Sequence, residues 1–471
     1  MLDAIGTLKA LEDDYVRYYE TPFALRDEGL SGERSQLLRS DGVISRPAWV
    51  EPVAPYVPSR VTVEESLSDS GVPEETASLV RAGLLTPDVR RLHLHQEQAL
   101  ASSMRGRHTV VTAGTGSGKT EAFLIPILSR LVAESASWTG SGTGTVREWW
   151  AEPKAQFAAQ RSTETGRTAA VRALILYPMN ALVEDQLMRL RDALDSPQAR
   201  QWFDTHRPGH LFYFGRYTSK TPIAGRPRDA ARTKRLREEL YRAAARAERV
   251  AGDPDKRRFV PQIGGAELCS RWDMQDFPPD LLITNYSMLN IMLMRAHERS
   301  MLARTRDWLQ NPENVFTLVV DELHAYRGTT GTEVAYILHK LSALLGLDKK
   351  PDQLRIIATS ASAGDDEDGF RSYLQDFFAA AGERFDIWPG KRALPESNIR
   401  LDPATTPCFE SLGAAIKKDS DASGALADLA TASGAARDDY PSIYEATRAG
   451  EVLLGACTDG ETIRARSTEQ I

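Results

Sequence analysis

From Leu92 onward the chain alternates short apolar runs with segments of helical periodicity. Five of the runs, His108 to Thr112, Ala173 to Tyr177, Asp280 to Thr284, Phe316 to Val320 and Arg355 to Thr359, are rich in aliphatic and β-branched residues, the pattern of strands buried on both faces. A sixth, Leu211 to Phe214, has the same character. Strands alternating with helices predict an α/β fold: a parallel sheet with helices on both faces. Each of the five runs leads into a polar or glycine-rich segment, and open α/β sheets place their ligands at the carboxyl ends of the strands.

Outside this alternation the pattern changes. Between Tyr18 and Arg60, prolines and isolated aromatics interrupt any long helical period, which predicts an arm packed on a larger body. Val63 to Leu85 reads as a short acidic helical stretch. Two insertions break the strand–helix rhythm. Residues 135–168 are rich in Ser, Thr and Gly and carry the pair Trp149 and Trp150, predicting a long mobile loop. Residues 216–258 contain an Arg-dense helical stretch, Thr233 to Val250, of net positive charge. After Pro395 small residues dominate, as in Asp421 to Asp439, and a linker is expected. The chain therefore divides into 1–90, 91–395 and 396–471.

Composition narrows the class. The 471 residues are 42% hydrophobic and 26% charged, enough to bury the cores of two or three domains. No apolar run approaches the length of a membrane span, and the acidic start does not resemble a signal peptide, so a cytoplasmic protein is expected. Cys269, Cys408 and Cys457 are far apart, which suggests neither a zinc site nor a disulfide framework. A net charge of -7 argues against a protein coated in positive charge, while leaving room for local basic grooves.

The strongest chemical signal is Ala113-Gly-Thr-Gly-Ser-Gly-Lys-Thr120, between the His108 to Thr112 run and a helical run. Strand, glycine loop and helix make a phosphate cradle: backbone N–H groups of Gly114, Thr115, Gly116, Ser117 and Gly118 would face the anion at a helix amino terminus. Lys119 would hold the β and γ phosphates and Thr120 would ligate Mg²⁺. Alanine replaces the first glycine of the strict pattern. A second signal, Asp321-Glu322-Leu323-His324, follows the Phe316 to Val320 run. Asp321 would hold the magnesium and Glu322 would orient and deprotonate the attacking water. Acids after a strand usually only start a helix, but the upstream phosphate loop reverses that prior.

With its DELH box the chain resembles superfamily 2 helicases of the DExH/DEAD type, and further motifs fit in order. The resemblance implies that Gln96, in Leu94-His95-Gln96, contacts the adenine edge. Tyr177 to Leu182 with Glu184, Asp185 and Gln186 is similar to motif Ia, and Thr284 to Leu289 to motif Ib. By resemblance, Pro178, Met179, Asn180, Gln186, Thr284 and Asn285 would touch nucleic acid. Thr359-Ser360-Ala361-Ser362 stands where the family has SAT, so Ser360 and Ser362, with His324, would line the cofactor site. The motifs span Leu92 to Gly364 and imply a first RecA-like domain. The wording of YPMNALVEDQ, TNYSML and DELHAYRG looks closest to MrfA-like repair helicases and the large anti-phage helicases of Druantia and DISARM type. In those families the motor is a DNA translocase, which makes DNA the expected partner.

The Arg-rich insertion either grips phosphates or forms a solvated, salt-bridged face. Trp149 and Trp150 either stack on bases or anchor the loop. No arginine-finger element follows Pro395, so a second RecA-like domain, in a longer polypeptide or a partner subunit, is expected to complete the motor. The alternatives are an ATP-dependent DNA-binding subunit that recruits partners without unwinding, and an inactive truncated helicase.

Overall fold

The computed structural model describes residues 4–40, 42–46, 49–114, 116–140, 148–225, 229–362, 366–394, 401–417, 421–459 and 462–467. The chain divides into two compact units, Tyr56–Lys391 and Met1–Pro55 with Arg392–Ile471.

The larger unit is built on a seven-stranded sheet: β1 His108–Thr112, β2 Ala173–Tyr177, β3 Phe214–Tyr217, β4 Leu281–Asn285, β5 Phe316–Val320, β6 Leu354–Ser360 and β7 Phe385–Pro389. Its order is β3-β4-β2-β5-β6-β1-β7, and every pairing is parallel. Alternate side chains of a strand face opposite ways, so β2 feeds two cores. Leu174 and Leu176 enter one, with Leu318, Val320, Ile356 and Ala358; Ala173, Ile175 and Tyr177 enter the other, with Ile283, Val319 and Ile357. Helices close both faces. α1 is Leu94–Met104, α2 Lys119–Ser135, α3 Asn180–Asp195, α4 Ala230–Val250, α5 Tyr286–Met294 and α6 Gly328–Leu345. α2 and α3 cover one core with Phe123, Leu128, Leu187 and Leu190, and α6 covers the other with Val334, Leu338 and Leu341. This is the α/β architecture expected from the apolar runs, and it is consistent with the RecA-like domain that the helicase resemblance implies.

Two strands depart from the sequence reading. The Leu211 to Phe214 run enters the ladder only at its last residue, because Asp280 holds the residue before it: its Oδ2 accepts from Tyr213 N at 2.8 Å and its own N–H donates to Tyr213 O at 2.8 Å. β7 was not anticipated. Its side chains are only partly buried after Phe385, as suits an edge strand, so it lacks the continuous apolar run that marked the others.

The first insertion also differs from expectation. Its described part from 148 onward is not a mobile loop: Trp149 and Trp150 are buried with Leu236, Leu240 and Trp272. Farther along, Arg161 and Arg167 are fully buried beside Asp280. Together with Arg172 they meet three carboxylates, Glu134, Glu164 and Asp280, at 2.5 to 4.0 Å. The charges balance, which is the condition under which burying them is tolerable. The two insertions are thus one packed annex, with α4 as its outer wall.

Residues 56–90, grouped above with the arm, belong to this unit. Leu94 N donates to Val57 O and Ser59 N to Leu92 O, and Val63, Leu67, Val80 and Leu85 pack with Leu100 and Ile125. Thr62 and Glu65 form a reciprocal capping box that starts the helix Val63–Asp69.

In the smaller unit, Ala4–Glu20 and Glu28–Leu38 are helical despite the irregular pattern. Asp27 supplies the start signal by accepting from Leu30 N at 2.9 Å. The expected linker at Asp421 to Asp439 contains the helix Ser423–Ser433, which buries Leu429 and Ala430 against Leu412 and Ile443. Trp49 and Val50 pair antiparallel with Ser467 and Arg466. Among the described residues no helix is long and apolar enough to cross a membrane.

Candidate functional site

β1 ends at Thr112 and α2 begins at Lys119, so the glycine loop lies at the carboxyl edge of the sheet. Gly116 and Gly118 both have φ +71°, and a Cβ on Gly118 would sit 2.1 Å from Gln96 Nε2. Only glycine satisfies both demands at 118. Two side chains at the start of α1 hold the loop. His95 Nε2 lies 2.8 Å from Ser117 O, and Gln96 Nε2 donates to Gly118 O at 2.9 Å. In a trans peptide the N–H points opposite to the preceding C=O. Drawing the Ser117 and Gly118 carbonyls toward α1 therefore aims the Gly118 and Lys119 N–H groups away from it, as an anion cradle requires. Burial pulls the His95 imidazole down to about 4, so the ring is neutral and carries its proton on Nε2. His95 packs against Tyr56 at 5.3 Å and stacks on His93 at 5.5 Å between ring centres.

Gln96, expected at the adenine edge, is hydrogen-bonded at both ends of its carboxamide: its oxygen accepts from His93 N at 2.8 Å and its nitrogen holds the loop. Thr115 lies outside the described residues.

The acidic pair stands at the end of β5. Lys119 Nζ lies 3.0 and 3.2 Å from the two oxygens of Glu322. Asp321 Oδ1 accepts from the Thr359 hydroxyl at the end of β6 and from Glu322 N at 3.0 Å. Glu322 itself has φ +52° and ψ +49°, left-handed backbone that non-glycine residues rarely adopt. Burial is the main cause that raises the Asp321 carboxyl above its ordinary range, with the Thr359 hydrogen bond acting against it. His324 Nδ1 accepts from Ala361 N at 3.3 Å and lies 3.4 Å from Glu322 Oε2, so it joins the acid box to the segment after β6. Ser360 is buried and donates to Ser362 O at 2.7 Å, while Ser362 is exposed. Ala113 N donates to Ser360 O at 2.9 Å, tying the loop to the same segment. Sequence reasoning missed Thr359 and His95. Both stood beside named candidates, and only three-dimensional contact singles them out.

Farther along the same edge, at the ends of β2 and β4, Asn285 Oδ1 accepts from Met288 N and caps α5, and its Nδ2 donates to Asn180 Oδ1 at 2.7 Å. Met179 is 60% exposed, and Pro178 and Asn180 are partly so. Two of the expected nucleic-acid residues are instead internal. Thr284 is buried and donates to Tyr217 O at 2.7 Å, and Gln186 is buried and accepts from the Tyr177 hydroxyl at 2.9 Å. Gln186 points inward from a helix whose other face meets solvent, and Thr284 lies on a strand buried on both faces.

Residues 93–206, from the start of α1 through the loop and motif Ia, match the DEAD/DEAH box helicase family. The chain carries a DEAD/DEAH box helicase domain. It is 33% identical over 443 residues to the Druantia protein DruE of Escherichia coli (strain UMEA 4076-1), covering 83% of this chain and 22% of that protein. It is 21% identical over 273 residues to the uncharacterized ATP-dependent helicase YprA of Bacillus subtilis (strain 168), covering 58% of this chain and 23% of YprA. The helicase domain thus belongs to a chain that spans about a fifth of these relatives' length. A crystal structure of the DUF1998 helicase MrfA bound to DNA aligns with 89% of this chain and 41% of its own, at 16% identity and a TM-score of 0.40.

Proposed function

We propose that the chain is the ATP-binding half of a helicase-type motor that couples hydrolysis to the remodelling of DNA, in genome defence or repair and in the cytoplasm. One observation carries the ATP reading: Lys119, Asp321 and Glu322 converge beside a glycine loop whose N–H groups are aimed outward by His95 and Gln96. A phosphate arriving there replaces Glu322 as the partner of Lys119, because a phosphate offers the ammonium group more charge than one carboxylate. Glu322, released, accepts a proton from a water in line with the γ phosphate. Ser360, Ser362 and His324 bring the segment after β6 to the same phosphates, so nucleotide state is passed along the sheet edge.

The residues present fit a magnesium ion. Asp321 is a buried carboxylate raised by burial, the state a hard divalent cation relieves, and Thr120, in the first turn of α2, would supply a hydroxyl. When bound, the ion neutralises charge on the transferred phosphoryl group.

Pro178, Met179, Asn180 and Asn285 form the strand-end surface for DNA, with Thr284 and Gln186 as supports behind it. The resemblance of the motifs to MrfA-like repair helicases and Druantia-type defence helicases favours DNA and the defence or repair setting. Arginines from a second RecA-like domain, elsewhere in the polypeptide or in a partner, complete the site. Such fingers are worth about 10³ to 10⁵ in rate.

The test uses the 471-residue chain. It is expected to bind a fluorescent ATP analogue with Mg²⁺, to release phosphate only at a basal rate, and to displace no strand from forked DNA. Absence of nucleotide binding overturns the ATP reading. ATP-driven unwinding by this chain alone overturns the need for a second domain. Turnover that partner subunits stimulate without any unwinding points to a recruiting subunit.

A further inference from the structure

The annex formed by the two insertions is not used by the ATP site. Its outer wall, α4, concentrates positive charge: seven basic and three acidic side chains in 21 residues, in a chain whose net charge is -7. Part of that charge is taken up locally. Arg232 pairs with Asp229, Arg235 with Glu239 and Arg242 with Glu238, and Arg237 donates to Pro153 O and Ala155 O. Lys234, Arg246 and Arg249 are exposed and have no carboxylate within 4.0 Å among the described residues. The opposite face of the helix is fixed, with Leu236 and Leu240 packed on Trp149, Trp150 and Trp272. The basic face therefore stands on a rigid base.

Its placement follows from the chain path. The start of α4 is tied to the segment leaving the carboxyl end of edge strand β3, through Arg232 Nη1 to Ala224 O at 2.8 Å. β3 lies beside β4, whose carboxyl end carries Asn285. Beyond the far end of α4, Arg257 donates to Asp195 O at the last residue of α3. So α4 begins on the strand-end side of the sheet and runs along its edge toward the other side. From Lys234 to Arg249 it spans about 22 Å at 1.5 Å per residue, or roughly six base-pair steps of a duplex.

We propose that α4 is a second contact for DNA: its exposed row, Lys234, Arg246 and Arg249 with the partly paired Arg235 and Arg242, grips the phosphate backbone of a strand that continues past Asn180 and Asn285. The inference rests on the DNA reading above and extends it to the annex. It acts by counterion release, so it strengthens binding without sequence preference.

The experiment measures the affinity of the full chain for a duplex with a single-stranded tail at several salt concentrations. Replacing Lys234, Arg246 and Arg249 together with Ala, with unfolding temperature as the folding control, is expected to flatten the slope of log affinity against log salt by about 2 to 3, near 0.9 per lost phosphate contact. Replacing Glu238 and Glu239 with Gln frees Arg242 and Arg235, so it is expected to tighten binding and steepen the slope. Wild-type binding with the same slope in both variants overturns the proposal and leaves α4 a solvated face. No wild-type binding to DNA at all overturns the DNA reading itself.

Discussion

Charge is arranged in opposite ways around the phosphate loop and along α4. At the loop, Lys119 and Glu322 are largely shielded from solvent and meet at 3.0 Å, and Asp321 is buried against Thr359. Along α4 the ion pairs are exposed at the surface, and three cations have no acidic partner among the described residues. In a shielded site the effective dielectric is low, so a single charge acts strongly over a few ångströms. At the surface, salt screens interactions beyond about 8 Å, and individual pairs are worth roughly 0 to 1 kcal/mol. The same residue types therefore do different work: a few fixed charges do chemistry at the loop, and many loose ones supply attraction along α4.

The sharpest break in that comparison comes from Glu322→Gln. The amide cannot accept the water's proton, so hydrolysis by the completed motor is expected to fall by about 10² to 10⁴, the range of general-base effects, while nucleotide binding persists. Single-turnover phosphate release checks the rate and analogue titration the binding. Lys119→Ala removes a charged partner of the phosphate and leaves Glu322 facing it. Hydrogen bonds to charged groups are worth about 1.5 to 3 kcal/mol, so nucleotide affinity is expected to drop by one to two orders of magnitude in the same titration. Wild-type affinity in this variant would remove the phosphate cradle from consideration.

At the annex, Trp149→Ala is expected to cost roughly 3 to 5 kcal/mol of local packing. Limited proteolysis should then cut between residues 148 and 258, while nucleotide affinity stays unchanged. Equal loss of nucleotide binding would mean that the annex and the loop are not separable.

A gentler prediction uses pH. His95 is held down to about 4 and His108 to about 3, both chiefly by burial. In the unfolded chain each titrates near 6.5. The unfolded state therefore binds more protons through the window from 6.5 to 4, and stability, full above 6.5, declines as pH falls through it. His95→Gln keeps an N–H donor for Ser117 O and should flatten that decline in thermal melts. An identical pH profile would show that His95 is not held neutral.

The smallest effect is expected at Asn285, where Ala removes a helix cap worth about 0.5 to 2 kcal/mol and Asp restores it. The unfolding midpoint reads the difference.

The β1, β2 and β5 boundaries coincide with apolar runs because those strands are buried on both faces, and burial of that kind leaves a plain record in sequence. β7 left none, since an edge strand needs only one apolar face. The loop and the acid pair were legible because their chemistry fixes residue types at fixed spacing. Thr359 and His95 were not: a hydroxyl behind an aspartate and an imidazole behind a carbonyl carry no spacing rule. Trp149 and Trp150 show a further limit, since the surrounding Ser, Thr and Gly suggested a loose loop. The partners that bury the pair, Leu236 and Trp272, lie 86 or more residues farther along the chain.

The left-handed backbone at Glu322 has a bearing on directed evolution. That conformation costs an L-residue with a long side chain about 1 to 2 kcal/mol, and glycine or asparagine adopts it with less strain. A library screened only for heat resistance is therefore drawn toward Gly or Asn at this position, while a library screened for turnover holds Glu. Sequencing both winners at the single codon for residue 322 would reveal a place where durability and catalysis are selected in opposite directions.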